Sequence, residues 1–328
     1  MNAIATRAGF LTSFQDLGRE GFRKSGVSLG GALDTHALRV ANLLVGNEES
    51  NAGVEITFGG LQLRFGDARI VAWCGGEFDV RVGPISLPSG HALLVKHGEK
   101  LAIDRPKIGC RAWIAISGGI DLPVVLESRS TDLRANFGGL DGRALRDGDE
   151  IPQGPNSGFA TILVDKLREE KIARWKPPHD WSSPARREPV LRFIRGAAWD
   201  LFDHSTHHAL TSATFAVLPD SDRMGLRLDG PELKRHGNTD LLSEAVAPGT
   251  LQVPPSGKPI LLLGDCQTIG GYPKIAHVIT VDLPVAAQLR AGDQLRFREV
   301  SLGDAHQFLL ERERNLEQFR RGLEVLFE

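Results

Sequence analysis

The sequence predicts a mainly β protein built from two related β-barrel domains, with a few short helices and a C-terminal helix. The first observation is a series of short apolar runs, each of strand length and bounded by Gly, Pro or Asp. The second is composition, since 37 glycines and 18 prolines in 328 residues favour many turns. The third is a set of similar segments in the two halves. Together these features are typical of a barrel or sandwich rather than of βαβ units.

The predicted strands are short and closely spaced. Typical apolar runs occupy 54–58, 61–65, 70–73, 114–116, 215–218 and 260–263. Helical periodicity is limited to three segments. They are 34–45, with Asp34 as a plausible N-cap, then 198–204, and the charged tail from about 304 to 326.

Similar segments recur in the same order in the two halves. Gly75 and Gly264 each end an apolar run and are 189 residues apart (264 − 75). Glu55 and Glu244 have the same separation (244 − 55). This repeat predicts a duplicated β unit.

A segment with four prolines, 174–189, separates the halves. We therefore predict a first barrel domain at 1–155, a Pro-rich linker at 156–188, a second barrel domain at 189–300 and a helical tail at 301–328.

Composition excludes several classes of function. The formal charge of −2 gives no reason to expect nucleic acid or an anionic membrane as partner. The three cysteines show no CxxC spacing, which argues against a disulfide framework or structural zinc and predicts a reducing compartment, the cytoplasm. No signal-type segment or membrane-length apolar run is found.

His204, His207 and His208 lack a further well-placed donor, so we predict no metal site.

The segment 264–274 is the most chemically dense part of the chain. It follows the predicted strand 260–263 and contains Gln267, Thr268, a glycine pair, the single tyrosine Tyr272 and then Lys274. A polar loop at a strand end is where small-molecule sites usually lie. We therefore expect this loop to line a pocket.

A second polar loop lies at 128–139 in the first half. Arg129, Arg134 and Asn136 stand there among hydroxyl residues, close to a glycine pair. Arginine forks and backbone N–H groups could hold a carboxylate or phosphate. The alternative is a surface loop without a ligand.

Other polar residues have two open interpretations. Arg223 lies in a predicted turn and could bind a ligand or form a surface salt bridge. Glu244 and Gln252 would need partners if they pointed into a barrel, because an unpaired buried polar group is costly. Asp34 or Arg23 could line a polar pocket, although capping would by itself explain Asp34.

Six motifs together resemble the allophanate hydrolase subunit 2 family. They read TSFQDLGR, GGALD, EITFGG, SRSTDL, NFGG and QTIGGYPK, in that order between residues 12 and 274. The same family is described as the biotin-dependent carboxyltransferase family, as the KipI antagonist (KipA) family and as the C subunit of 5-oxoprolinase.

The resemblance implies cyclophilin-like β-barrels and a KipI-like partner, which is allophanate hydrolase subunit 1 or the B subunit of 5-oxoprolinase. The leading expectation is the C subunit of a 5-oxoprolinase that opens the ring of 5-oxoproline to L-glutamate, with a third subunit and with ATP and Mg in the assembled complex. One alternative is the carboxyltransferase half of a biotin-dependent urea or amide carboxylase, with biotin carried on another chain. The other is a non-enzymatic KipI antagonist that binds a histidine-kinase inhibitor.

The resemblance also suggests roles for individual residues. The loop of Asn136 corresponds to one associated with substrate amide binding, and Gln267 could bind the same amide. An arginine could hold a carboxylate or phosphate, and Lys274 could stabilise developing negative charge. The predicted catalytic residues are Lys274 and Asp34. The predicted substrate-binding residues are Asn136, Arg129, Arg134, Arg223, Glu244, Gln252, Gln267, Thr268 and Tyr272.

Overall fold

The computed structural model describes residues 2–237 and 242–326, and most of its regular elements are β-strands. The chain divides into two compact units. Unit 1 takes residues up to 18, 30–185 and those from 315 onward, and unit 2 takes 19–29 and 186–314. The domain boundaries given above stay a prediction, but the segment 19–29 has its contacts in unit 2.

Unit 1 contains a six-stranded and a five-stranded sheet. Their orders are β11-β1-β4-β9-β6-β7 and β2-β3-β10-β5-β8. In chain order the strands are β1 (Ala3–Ala8), β2 (Leu11–Gln15), β3 (Gly53–Thr57), β4 (Leu61–Phe65), β5 (Arg69–Glu77), β6 (Val80–Val82), β7 (Ile85–Ser86), β8 (Ala92–Val95), β9 (Lys100–Ile103), β10 (Ile108–Ile116) and β11 (Glu150–Ile151).

The two sheets of unit 1 enclose one apolar core. Leu63 and Val80 from the six-stranded sheet belong to the same buried cluster as Val54 and Ile114 from the five-stranded sheet. Strand β4 shows why the sequence folds this way, because Leu61, Leu63 and Phe65 are buried while Arg64 is exposed. Alternation with period two places the apolar side chains on one face.

Three helices accompany these sheets: α1 (Thr35–Leu44), α2 (Gly158–Glu170) and α3 (His179–Ser182). Asp34 Oδ1 accepts a hydrogen bond of 2.8 Å from Ala37 N, so the predicted N-cap of α1 is confirmed. Helices α2 and α3 lie in the segment expected to be a linker. The buried positions Ala160, Leu163 and Leu167 form the apolar face of α2.

Unit 2 is built on a closed seven-stranded barrel with the order β12-β19-β16-β17-β14-β13-β20. Strands β12 and β20 run parallel, and the other neighbours are antiparallel. Closure leaves no unpaired edge in the barrel. A separate two-stranded ribbon pairs β15 with β18. The strands are β12 (Val190–Arg195), β13 (Thr214–Val217), β14 (Gly225–Asp229), β15 (Glu244–Ala245), β16 (Thr250–Gln252), β17 (Ile260–Leu262), β18 (Ile269–Gly270), β19 (Lys274–Val278) and β20 (Gln294–Glu299).

The helices after residue 186 are α4 (His204–Ser212), α5 (Leu283–Ala286) and α6 (Leu302–Val325). The helix predicted over 198–204 is wrong. A 3-10 turn occupies Trp199–Leu201, and α4 starts at His204 because Asp203 Oδ1 accepts a hydrogen bond of 2.7 Å from Thr206 N. Helix α6 agrees with the predicted tail. None of the helices in the described residues is long and apolar enough to cross a membrane.

The mainly β fold class with a C-terminal helix is confirmed. The segments matched at the 189-residue offset have different strand partners, however. Strand β3, which carries Glu55, lies between β2 and β10 in a sheet of unit 1, whereas β15, which carries Glu244, pairs with β18 in the two-stranded ribbon. The relationship between the two units therefore stays a prediction.

Candidate functional site

The loop 264–274 connects β17 to β19 and contains β18. It begins with a turn in which Cys266 N donates to Leu263 O at 3.1 Å. Gly270 then lies opposite Glu244 in the β15–β18 ribbon, and Val246 N donates to Thr268 O at 3.1 Å. The ribbon therefore brings Glu244 to the loop that the sequence singled out. In this loop Thr268 is half-buried and Tyr272 is exposed.

Lys274 is the buried cation of this region. Its side chain is 9% exposed, and its Nζ donates to Glu244 Oε2. The carboxylate of Glu244 is largely in solvent, with 65% of its side chain exposed. A buried ammonium needs such a partner because desolvation of an unpaired charge is costly. The two predicted site residues thus meet as an ion pair with one buried and one exposed member.

Gln252 is buried on β16, opposite Lys274 on β19. Its Oε1 lies 3.5 Å from Gln267 Nε2, at the limit of a hydrogen bond. Its Nε2 has no hydrogen-bond partner among the described residues. A Cβ on Gly270 would lie 2.6 Å from that nitrogen, so a larger residue there would require the Gln252 side chain to move. Gln252 and Gln267, both predicted to bind substrate, are therefore brought together beside Gly270 of the ribbon, where Gln252 is buried and Gln267 is exposed.

His277 is a half-buried neighbour of this site that sequence reasoning missed. It lies on β19 after Lys274, and its Nδ1 is 3.2 Å from Thr250 Oγ1. Burial lowers the pKa of His277 below its ordinary value of 6.5, and the charge of Lys274 lowers this pKa further. Its signal was a histidine on the strand that directly follows the polar loop.

Arg223 lies just before β14 and binds Asp265, an acidic residue of the loop 264–274. Its Nε and Nη2 donate to the two oxygens of Asp265 at 2.8 and 3.0 Å. Both side chains are about nine-tenths buried. This fork-to-carboxylate geometry uses the directions in which a guanidinium would bind a ligand anion. Arg223 is thus part of a buried salt bridge rather than the surface one considered from the sequence.

In unit 1 the loops around Asp16 and Ser128 are held together by one buried carboxylate. Asp16 Oδ1 accepts from Ser128 Oγ at 2.6 Å, from Ser130 Oγ at 2.5 Å and from Gly18 N at 2.9 Å. Asp16 Oδ2 accepts from Arg129 N at 2.5 Å. The hydroxyls that suggested ligand binding in 128–139 are therefore engaged by the protein itself.

The remaining predicted site residues of unit 1 have local structural roles. Arg129 Nε donates to Leu122 O at 2.9 Å. Arg134 and Asn136 are exposed in a turn closed by paired backbone hydrogen bonds between Asp132 and Phe137. Asn136 has φ of 56°, a left-handed conformation that asparagine tolerates well. Asp34 caps α1, and its catalytic role stays a prediction.

His207, one of the three histidines for which the sequence predicted no metal site, packs against an aromatic ring in unit 2. His207 stacks on Trp199 with 3.9 Å between ring centroids, and its Nε2 lies 3.1 Å from Trp199 O. Within residues 2–237 and 242–326, no group of three or more His, Cys, Asp or Glu side chains is placed to hold a metal ion.

The family model described as "Carboxyltransferase domain, subdomain A and B" matches residues 25–299, and the chain belongs to this family. The resemblance drawn from the six motifs is thereby confirmed.

Two bacterial relatives match nearly the whole chain. The C subunit of 5-oxoprolinase from Escherichia coli (strain K12) is 39% identical over 312 residues, covering 95% of this chain and 96% of that protein. The C subunit of 5-oxoprolinase from Haemophilus influenzae is 35% identical and covers 94% of both chains.

Solved fungal structures share the fold at greater sequence distance. The urea carboxylase of Kluyveromyces lactis matches with a TM-score of 0.86 and 26% identity, covering 98% of this chain and 29% of that one. The K. lactis urea amidolyase has the same TM-score and identity, and the chain spans 20% of its length. The chain is therefore similar to one part of each of these larger proteins.

Proposed function

We propose that the chain is the C subunit of a 5-oxoprolinase complex that opens the ring of 5-oxoproline to L-glutamate. The observation that carries this proposal is the identity of 39% and 35% to two proteins of that name over almost the full length of both chains. The fungal relatives, by contrast, are longer proteins at 26–28% identity.

Gln252, Gln267, Lys274 and Glu244 lie together at the β15–β18 ribbon and are called the ribbon site. The chemistry of this site supports an amide substrate. Gln252 Nε2 is a buried donor without a partner in the described chain, which costs about 1–3 kcal/mol. The carbonyl oxygen of a cyclic amide would accept this hydrogen bond. Gly270 has no side chain beside this nitrogen, where a Cβ would otherwise lie 2.6 Å away.

Lys274 supplies the charge that such a reaction needs. When an amide carbonyl is attacked, negative charge develops on its oxygen, and a preorganised cation stabilises that charge. Lys274 lies opposite Gln252, and Glu244 holds its ammonium group in place. In the proposal Gln252 and Gln267 bind the amide, and Lys274 stabilises the oxyanion.

ATP and its magnesium ion are assigned to the assembled complex. In the part of the chain that the structure describes, no group of three or more His, Cys, Asp or Glu side chains is placed to hold a metal ion. No step of the proposal passes through either group on this chain. The partners proposed are a KipI-like protein, which is the B subunit of 5-oxoprolinase, and a third 5-oxoprolinase component.

The test is reconstitution. The purified chain is mixed with the KipI-like protein and the third component, and L-glutamate and ADP are measured with and without 5-oxoproline. We expect both products to depend on 5-oxoproline and on this chain. An absence of 5-oxoproline-dependent turnover in a complex whose assembly is verified by size-exclusion chromatography would reject the proposal.

A biotin-dependent carboxyltransferase is the second candidate. It is favoured by the description of the family and by the TM-score of 0.86 to the K. lactis urea carboxylase. Biotin would be carried on another chain in this case. The discriminating measurement is carboxyl transfer from carboxylated biotin carrier to urea or another small amide, with the same preparation used for the 5-oxoproline assay.

A further inference from the structure

Residues 19–29 form a loop whose contacts lie in unit 2, although they precede most of unit 1 in sequence. Arg19 N donates to Leu29 O at 2.7 Å and closes the base of the loop. A 3-10 turn at Arg23–Ser25 ends at Gly26, whose φ of 81° reverses the chain. This turn fixes the backbone from which Arg23 extends.

Arg23 connects this loop to both sides of the β15–β18 ribbon. Its Nη2 donates to Val246 O and, at 3.3 Å, to Gln267 O. Val246 follows β15, and Gln267 precedes β18. One guanidinium nitrogen therefore spans the two backbone segments at the end of the ribbon, next to the bond from Val246 N to Thr268 O.

The contact between Arg23 and Gln267 affects the site because Gln267 also faces Gln252. The backbone oxygen of Gln267 is held by Arg23, while its side-chain Nε2 faces Gln252 Oε1. The other strand of the ribbon carries Glu244, the partner of Lys274. Displacement of this end of the ribbon would thus change the positions of both the amide-binding and the charge-stabilising groups.

We infer that Arg23 is a positioning residue, which holds the ribbon so that Gln267 and Glu244 are correctly placed for the reaction. This inference rests on the proposed function. Arg23 donates to protein carbonyl groups and is not assigned a contact with substrate. A planar guanidinium suits this task because its donors have fixed directions, whereas the ammonium of lysine has no such fork.

The experiment compares Arg23→Ala and Arg23→Lys with Lys24→Ala, a matched control because Lys24 is exposed in the same turn. Hydrogen–deuterium exchange is followed on peptides covering 243–250 and 264–274. We expect faster exchange at the Val246 amide in Arg23→Ala, an intermediate rate in Arg23→Lys and no change in Lys24→Ala. Unchanged exchange in Arg23→Ala would overturn the inference, whether or not the complex is active.

Activity separates positioning from general stability. In the reconstituted complex we expect Arg23→Ala to lower kcat/KM by about 10- to 100-fold, as small misplacements of binding groups do. Millimolar guanidinium chloride should restore part of this loss without changing Tm. An inactive wild-type complex would count against the proposed function, whereas an active complex with unaffected or unrescued Arg23→Ala would count against the role of Arg23.

Discussion

Two buried polar groups, the carboxylate of Asp16 in unit 1 and the amide of Gln252 in unit 2, differ in how completely the protein satisfies them. Asp16 accepts four hydrogen bonds from Ser128, Ser130, Gly18 and Arg129. Gln252 has one contact of 3.5 Å, and its Nε2 has no partner in the described residues. A satisfied buried group fixes structure, whereas an unsatisfied one is a candidate for ligand binding.

The comparison extends to the charges beside these groups. The Ser128–Ser130 loop is polar because its hydroxyl and N–H groups donate hydrogen bonds to the buried carboxylate of Asp16. The ribbon site instead combines the unsatisfied amide with Lys274, whose partner Glu244 is largely in solvent. The two loops looked equally suited to chemistry in the sequence, and only their hydrogen bonds distinguish them.

The largest effect is expected for Lys274→Ala. Loss of the cation should reduce kcat of the reconstituted complex by about 100- to 1,000-fold, as removal of an oxyanion-stabilising donor does. Stability should change little, because Glu244 can be solvated once its partner is removed. Steady-state kinetics and urea unfolding measure the two quantities.

Lys258→Ala is the matched control for this change. Lys258 also forms an ion pair in unit 2, with Asp229 at 2.8 Å, but lies outside the ribbon site. We expect it to keep wild-type activity. Equal activity of Lys274→Ala and Lys258→Ala would remove Lys274 from the mechanism.

The next largest effect is on stability and concerns Asp16→Asn. The amide nitrogen of asparagine would face hydroxyl or N–H donors where the carboxylate accepted four bonds. We expect a loss of about 2–3 kcal/mol in the free energy of unfolding, since charge-assisted and buried bonds are broken. Asp121→Asn is the control, because Asp121 is 70% exposed and 3.9 Å from Arg129. A loss no greater than that of the control would show that the network adds nothing to stability.

Gln252→Met should separate binding from stability. Methionine fills a similar volume without an unsatisfied donor, so we expect the free energy of unfolding to stay equal or to rise by about 1 kcal/mol, while kcat/KM falls about 10-fold or more. Gln294→Met on the exposed side of β20 is the control. A destabilised Gln252→Met protein would mean that the amide is already satisfied in the free protein.

Local chemistry explains which features the sequence could predict. The period-two pattern of β4 and the Asp34 cap of α1 depend on neighbours within a few residues, so both are readable from sequence. The site depends on contacts between distant residues. Lys274 meets Glu244 across 30 residues, and Arg23 meets Val246 across 223. No local pattern encodes such a pairing, which is why Arg23 appeared only as a candidate. His277 was overlooked for another reason, because the sequence motif ends at Lys274 and the strand that the loop leads into was not followed.

The smallest expected effect is a pH dependence that originates at His277. Its pKa in the folded protein is lowered by burial and then by Lys274, so the unfolded chain binds a proton more readily than the folded one. Stability should therefore be fully present above the unfolded pKa of about 6.5 and should be lost as the pH falls from there through the folded pKa. Thermal unfolding at about pH 7.5 and about pH 5.5 measures this loss. We expect His277→Gln, which keeps a polar group near Thr250 Oγ1, to lose less Tm over this interval than the wild type. An identical or larger loss in the variant would show that other groups cause the acid sensitivity.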